Sequence, residues 1–283
     1  MNDLLNLATF APLDGILPHL VLDRHPDGRA VALQAPFSPL DRAAVWDAQT
    51  GALIWNPGVT MALHWLPNGE EIVLLRERSA VTRGYPPLAD SPLGDGNWYV
   101  LERASWPGRT VVGACKVVLP EGWGNAVTVS PRGDLAAVRW FEQDAAGFVL
   151  VALREGGDRQ LPDPGYRTAP DNLVQGPVFS PDGRFLVLSC GRGFWWAGDD
   201  EGEDPTVPAS GGRYEIGHVA IYDVREKAAQ EIVIEEDVPA GWLPEDPEDL
   251  EHNELLGEPR FIAAHEFTVT LPTGTERRFS TVS

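Results

Sequence analysis

Apolar residues along the chain cluster in short runs: AVAL at Ala30–Leu33, EIVLL at Glu71–Leu75, LAAV at Leu135–Val138 and FLVL at Phe185–Leu188. Runs of this length fit β-strands and are too short for helices. Each follows a tight-turn signal: HPDG at His25, LPNG at Leu66, SPRG at Ser130 and SPDG at Ser180. In such a turn proline presets φ, the next residue is a small or polar one in most copies, and glycine takes the left-handed position. The turn prolines, Pro26, Pro67, Pro131 and Pro181, lie 41, 64 and 50 residues apart.

A second hairpin follows each first one. The clearest is AAVWDAQTGALIW (Ala43–Trp55), in which a strand ends at Trp46-Asp47, turns at Thr50-Gly51 and returns. NWYVLERASWPGRTVVGACKV, GFVLVALREGGDRQL and HVAIYDVREKAAQEIVI repeat that shape, and HEFTVTLPTGTERRF near the C-terminus turns at Thr273-Gly274. Repeats of this size, each a four-stranded antiparallel meander, predict an all-β chain with β-propeller architecture. Five blades are expected, four clear and one partial, in a single domain over residues 1–283. LLNLATF at the N-terminus would supply a strand that closes the last blade and so removes an exposed edge.

The first hairpins resemble the SPDG-containing blades of WD40-like and TolB-like propellers. Trp46-Asp47 stands where the WD dipeptide ends a third strand, and Tyr222-Asp223 is a degenerate version. The resemblance covers most of Val21–Phe279 and implies a propeller that acts as a scaffold for protein–protein interaction.

Strand alternation puts the P-x-G turns and the short second-hairpin turns at one end of the blades, which is expected to be plain. The long connections go to the other end. They include RERSAVTRGYPPLADSPLGDG in the second blade and two acidic or aromatic loops, 190–217 and 235–258. Loops this long in a compact domain are functional or unstructured. The blade-to-blade connections at the same end place Trp123, Tyr166 and Trp242 directly after a glycine. These three either wedge between blades or ring the channel mouth. Phe194-Trp195-Trp196, in a glycine-rich stretch followed by Asp199 and Asp200, is either a loop core or the anchor of an interface. A short helix is predicted near Pro247–Leu256, with Asp246 as cap and Gly257 as stop.

Charge narrows the partners. The net charge is −20, with 42 acids against 22 Lys and Arg. Fifteen of the acids fall in Asp199–Asp204 and Glu235–Glu258, which contain no Lys or Arg. Phosphate backbones and anionic membrane surfaces are disfavoured, so neither nucleic acid nor membrane is expected as a partner. A protein or peptide, basic by complementarity, is. Only Cys115 and Cys190 occur and the N-terminus has no basic region of a signal peptide, so a cytoplasmic protein is expected.

Catalytic signatures are missing. His265-Glu266 has no second histidine at metalloprotease spacing, and there is no G-x-S-x-G or P-loop. A non-enzymatic binding scaffold without a cofactor is the first reading. The alternative is a metal-dependent propeller hydrolase or lactonase with its site at the mouth of the central channel. The oxygen-rich GDDEGEDP would attract a divalent ion such as calcium, but it lacks the D-x-D-x-D-G register.

Overall fold

The computed structural model describes residues 5–36, 42–77, 98–120, 123–142, 145–154, 157–168, 172–192, 212–238, 256–271 and 273–281. Strands β1 (Leu20–Arg24), β2 (Ala30–Ala35), β3 (Arg42–Asp47) and β4 (Leu53–Trp55) form the first sheet, in that order. The second sheet is β5 (Ala62–Trp65), β6 (Glu71–Glu77), β7 (Trp98–Ser105) and β8 (Val111–Val118). The third is β9 (Trp123–Val129), β10 (Leu135–Glu142), β11 (Ala145–Ala152) and β12 (Arg159–Gln160), with β13 (Arg167–Thr168) also paired to β11. The fourth is β14 (Asn172–Phe179), β15 (Phe185–Arg192), β16 (Gly212–Asp223) and β17 (Ala228–Val238). A last sheet of three described strands is β18 (Arg260–Ala263), β19 (Glu266–Thr270) and β20 (Glu276–Ser280). Every pairing with a described register is antiparallel, and the four full sheets are the predicted meanders. The chain clusters into two compact units, Met1–Phe141 with Phe148–Gly165, and Glu142–Gly147 with Tyr166–Ser283.

One turn geometry recurs. The amides of Gly28, Gly69, Gly133 and Gly183 each donate at 2.8 Å to the carbonyl three residues earlier. Their φ values, 71–74°, lie in the left-handed region that glycine adopts without strain. Leu271–Gly274 makes the same bond, Gly274 N–H to the Leu271 carbonyl at 2.8 Å. That turn, expected to be of the second-hairpin kind, is thus a fifth member of the P-x-G series.

A second repeated bond ties the turns of each full sheet together. The residue after each turn glycine, Arg29, Glu70, Asp134 or Arg184, accepts through its carbonyl from the backbone N–H of Ala48, Trp106, Leu153 or Val224, at 2.6–2.9 Å. The dipeptides Trp46-Asp47 and Tyr222-Asp223 end β3 and β16 as expected. Asp47 accepts from Thr50 N–H at 2.7 Å and Gln49 N–H at 3.0 Å, and these donors hold its carboxyl below the usual range. Asp223 accepts from Arg225 N–H at 2.9 Å in the same way.

In the first unit the adjacent faces of the first two sheets share a core of Ala32, Val45, Leu63, Trp65, Ile72 and Leu74. LLNLATF does not form the expected strand. From Leu5 onward it is described as a loop with a 3-10 turn over Leu7–Thr9, capped by the Asn6 side chain. Its apolar residues are used locally, since Phe10, with Leu13 just beyond the segment, packs with Val31, Leu33 and Trp46 against the first sheet. The Trp46 indole donates to the Ala11 carbonyl at 2.8 Å, which fixes the segment there.

The second and third sheets are joined by a buried charge cluster. Arg103 donates to Glu71 Oε2 at 2.6 Å, to Asp158 Oδ1 at 3.3 Å and to the Arg154 carbonyl at 3.0 Å. Its side chain is 11% exposed and that of Asp158 is 0% exposed. Burial opposes the Arg103 charge, but the two carboxylates outweigh it and raise its pKa. Gly113 leaves room for this cluster, because a Cβ there would lie 3.1 Å from Arg103 Nη2. Nearby, burial and the Asp158 charge push the Cys115 thiol up to about 12, so it stays protonated. The Gln160 amide also crosses to β8, accepting from Val118 N–H and donating to the Val118 carbonyl, both at 2.8 Å.

In the second unit, Val187, Ile216, Val219, Ile221 and Ile234 of the fourth sheet pack with Phe267, Val269 and Leu271. Leu256, at the end of the predicted helix, is 1% exposed in this core. The rest of the predicted helix lies outside the described residues.

Candidate functional site at the loop-bearing end of the fourth sheet

Cross-strand register decides where the long connections start. Gly191 of β15 stands opposite Gly217 of β16, and Gly212 at the start of β16 stands opposite Val238 at the end of β17. The connections 193–211 and 239–255 therefore leave from one end of the same sheet, opposite the Ser180–Gly183 turn. These are the segments that carry Phe194, Trp195, Trp196, Asp199, Asp200 and Trp242, all outside the described residues.

The described strands at that end are acidic. Glu215 pairs with Glu235 and Arg213 with Asp237 across β16 and β17. Like charges directly opposite each other are unfavourable in a ladder. Arg213 Nε relieves part of this by bonding Glu235 Oε2 at 2.9 Å, and Arg277 forms an ion pair with Glu236. Glu215, Glu231, Glu235 and Asp237 are exposed, and Val233 among them is 54% exposed.

A bulge lies just inside this end, where the register shifts between Glu215 and Gly217. Gly217 has φ +145°, and a Cβ there would overlap the Cys190 carbonyl and lie 3.0 Å from Gly191 Cα. Only glycine lets the two strands approach at this point.

A small polar network sits beside the bulge. Tyr166, one of the aromatics expected to wedge or to ring a channel, is 7% exposed and its hydroxyl donates to Glu231 Oε1 at 3.3 Å. Thr168 Oγ1 and His218 Nε2 share a hydrogen bond of 3.1 Å, and the imidazole is 3.7 Å from Glu231. Burial, with the nearby Cys190 and Glu231, pushes the tyrosine well above its ordinary range, so it remains a donor. Burial lowers the His218 pKa, although Glu231 and Glu215 pull the other way. Cys190, across the ladder from His218, is fully buried. The phenol, the imidazole and the thiol are all buried beside the bulge.

The His218 shift has a testable sign. A histidine with a lowered folded-state pKa contributes stability that is present above its unfolded value, near 6.5, and is lost as pH falls below it. The thermal midpoint is expected to drop between pH 7 and pH 5. The drop should be smaller in His218→Gln, and equal drops in the two proteins would contradict the assignment.

Sequence reasoning selected Tyr166 but missed Thr168, His218 and Glu231. Their meeting depends on strand register, and GHVAIYD shows only alternation. Trp123 opens β9 in the first unit. Among the described residues no group of three or more His, Cys, Asp or Glu could hold a metal ion, and no helix is long and apolar enough to cross a membrane.

Five successive antiparallel sheets, each containing a copy of one turn, decide the architecture. The fold is that of a β-propeller. Solved structures similar to this propeller include hydrazine synthase from Kuenenia stuttgartiensis, at TM-score 0.50 and 12% identity over 91% of this chain and 62% of that one. They also include the Cps50 (Swd1) β-propeller domain from Myceliophteria thermophila (TM-score 0.49, 13% identity, 93% of this chain and 66% of that one). TolB from Acinetobacter baumannii is similar at TM-score 0.45 and 13% identity, over 78% of this chain and 44% of that one. The propeller thus spans between 44% and 66% of these solved chains, and at such identities the likeness concerns the fold alone. No protein-family model matches the sequence, and no curated protein does.

Proposed function

We propose that this propeller is a non-enzymatic scaffold that binds a basic segment of a partner protein at the loop-bearing end of its fourth sheet. The observation that carries the reading is the common origin of two long connections. The segments richest in acid and in tryptophan leave side by side from a strand end that is itself lined by exposed Glu215, Glu235 and Asp237. Complementary charge speeds encounter and fixes partner choice. Phe194, Trp195 and Trp196 then act as anchors, with Tyr166 and Trp242 as secondary elements, of which Tyr166 supports from beneath. Arg or Lys of the partner over an indole face adds about 0.5–2 kcal/mol.

The test is capture of partners from native lysate at low and moderate salt, followed by affinity measurement with the basic protein recovered. Trp195→Ala/Trp196→Ala is expected to weaken binding about thirtyfold, the loss typical of a hot-spot pair. Glu235→Lys/Asp237→Lys should slow association and flatten its salt dependence. Unchanged binding in both variants would sink the proposal.

A further inference from the structure

The last strand in a sheet leaves one side of its backbone open. Proteins guard such edges by keeping them short or by placing Pro, Lys or a bulge on them. Three of the four full sheets have guarded outer edges. β4 has three residues and β12 two, and β8 has the Gln160 side chain on its Val118 backbone. β17, last in the fourth sheet, has eleven residues and contains no Pro, Lys or Arg. The bulge lies on its neighbour, since Ile234 and Glu235 are consecutive where β16 shifts register between Glu215 and Gly217.

Arg277 of β20 shows which backbone groups of β17 are open. It donates to the Glu235 carbonyl at 3.4 Å and forms an ion pair with Glu236, so that carbonyl points away from β16. In an antiparallel strand the N–H and C=O of alternate residues point to the same side, which puts those of Val233 and Glu231 on the open side too. No described strand lies beside them. Glu231, Val233, Glu235 and Asp237 are also exposed, whereas Ile232, Ile234 and Glu236 between them are buried or half-buried. One face of the edge therefore reads acid, apolar, acid, acid at alternate positions.

The charge of this edge selects its partner. Glu215, Glu231, Glu235, Glu236 and Asp237 meet only Arg213 and Arg277, whose ion pairs go to Glu235 and Glu236. Glu231 accepts from the Tyr166 hydroxyl, and Glu215 and Asp237 have no ion pair among the described residues. A second copy of the strand fits poorly. Paired antiparallel about Val233, it would set Glu231 against Glu235, and like charges directly opposite are unfavourable. A strand with Lys or Arg at those positions gains in each pair instead, and Arg277 already makes a contact of that kind.

We propose that β17 takes up an extended segment of a basic partner protein as an added antiparallel strand. Lys or Arg stands opposite Glu231, Glu235 and Asp237, and an apolar residue stands opposite Val233. This mode rests on the basic partner proposed above and adds how its backbone is held: main-chain bonds at Val233 and Glu231, with the charge pairs setting the register.

The probe is acetyl-Lys-Thr-Lys-Thr-Val-Thr-Lys-amide, which places its lysines and its valine on one face in that register. It is titrated into the full chain while the backbone amide resonances of Glu231, Val233 and Glu235 are followed. Saturable shifts are expected at these amides, with hydrogen exchange at the Val233 N–H slowed about tenfold at saturation. Acetyl-Lys-Lys-Thr-Val-Thr-Lys-Thr-amide has the same composition and charge without the alternation, and should bind about fivefold more weakly. Val233→Pro removes the open N–H without taking a bond from β16, and should abolish the shifts at Glu231 and Glu235. Should that variant not fold, the two peptides compared on the wild type decide. No saturable shift, equal affinity for the two peptides, or undiminished binding by Val233→Pro overturns the proposal. The outcome stands apart from that of the loops. Trp195→Ala/Trp196→Ala should bind the probe like the wild type, and equal affinity for the two peptides would leave a basic partner held by side chains alone.

Discussion

Replacing Arg103 by methionine is expected to destabilise the protein by about 3–5 kcal/mol, the usual cost of breaking a buried ion pair from one side. The reason is the partner left behind. The Asp158 side chain is 0% exposed, and without the guanidinium its charge has no water to turn to. Among the described residues, Asp158 would keep its bond from Arg154 N–H alone. Glu71 is 24% exposed and can be hydrated, so Glu71→Gln should cost far less, about 1 kcal/mol. The double change Arg103→Met/Asp158→Leu should recover much of the loss, because an apolar pair of similar volume can replace a buried ion pair at little cost. Urea unfolding of the four proteins measures this. Equal midpoints for wild type and Arg103→Met would show that the cluster is not what holds the second sheet to the third.

Gly217→Ala is expected to be at least as damaging, at about 3–5 kcal/mol, and to act on the other unit. Two causes add. The backbone at φ +145° is strained for any residue with a Cβ. That Cβ would also overlap the Cys190 carbonyl, which belongs to a neighbouring strand and cannot rotate away. Gly165 is the control. Its φ is +72° and nothing lies within 4 Å of its Cβ position, so Gly165→Ala should lose only about 1 kcal/mol. Thermal unfolding separates the two. A Gly217→Ala midpoint as high as that of Gly165→Ala would mean that the bulge relaxes without cost.

The difference between these residues and the ones legible in the sequence is one of range. Pro26, Gly28 and their counterparts announce a turn within four residues, so the hairpins and the succession of sheets could be read from the chain directly. Trp46-Asp47 was equally local, since the carboxylate caps a turn three residues long. The pairing of Arg103 with Asp158, 55 positions later, has no such signal. The meeting of Tyr166 with Glu231, 65 positions on, has none either. Trp106 and Leu153 look unrelated until the backbone bonds to Glu70 and Asp134 make them equivalent. LLNLATF departs from the expected strand for a related reason: its apolar residues suit a strand, but Trp46 offers a nearer surface to cover.

Gln160 has a consequence for the life of the protein outside its folded contacts. The outermost strand of each sheet has backbone groups with no neighbouring strand, and such a row can recruit a strand from another molecule. At Val118 both backbone groups on the open side of β8 are taken by one amide side chain, which imitates the next strand for a single residue. β8 also exposes Val111 and Val112, apolar groups that would favour pairing with a like strand. A side chain that takes both groups at Val118, the last residue of β8, denies an incoming strand its pair of bonds at that end. The protection costs no charge and leaves the apolar surface in place, and it would be lost with the replacement of one glutamine.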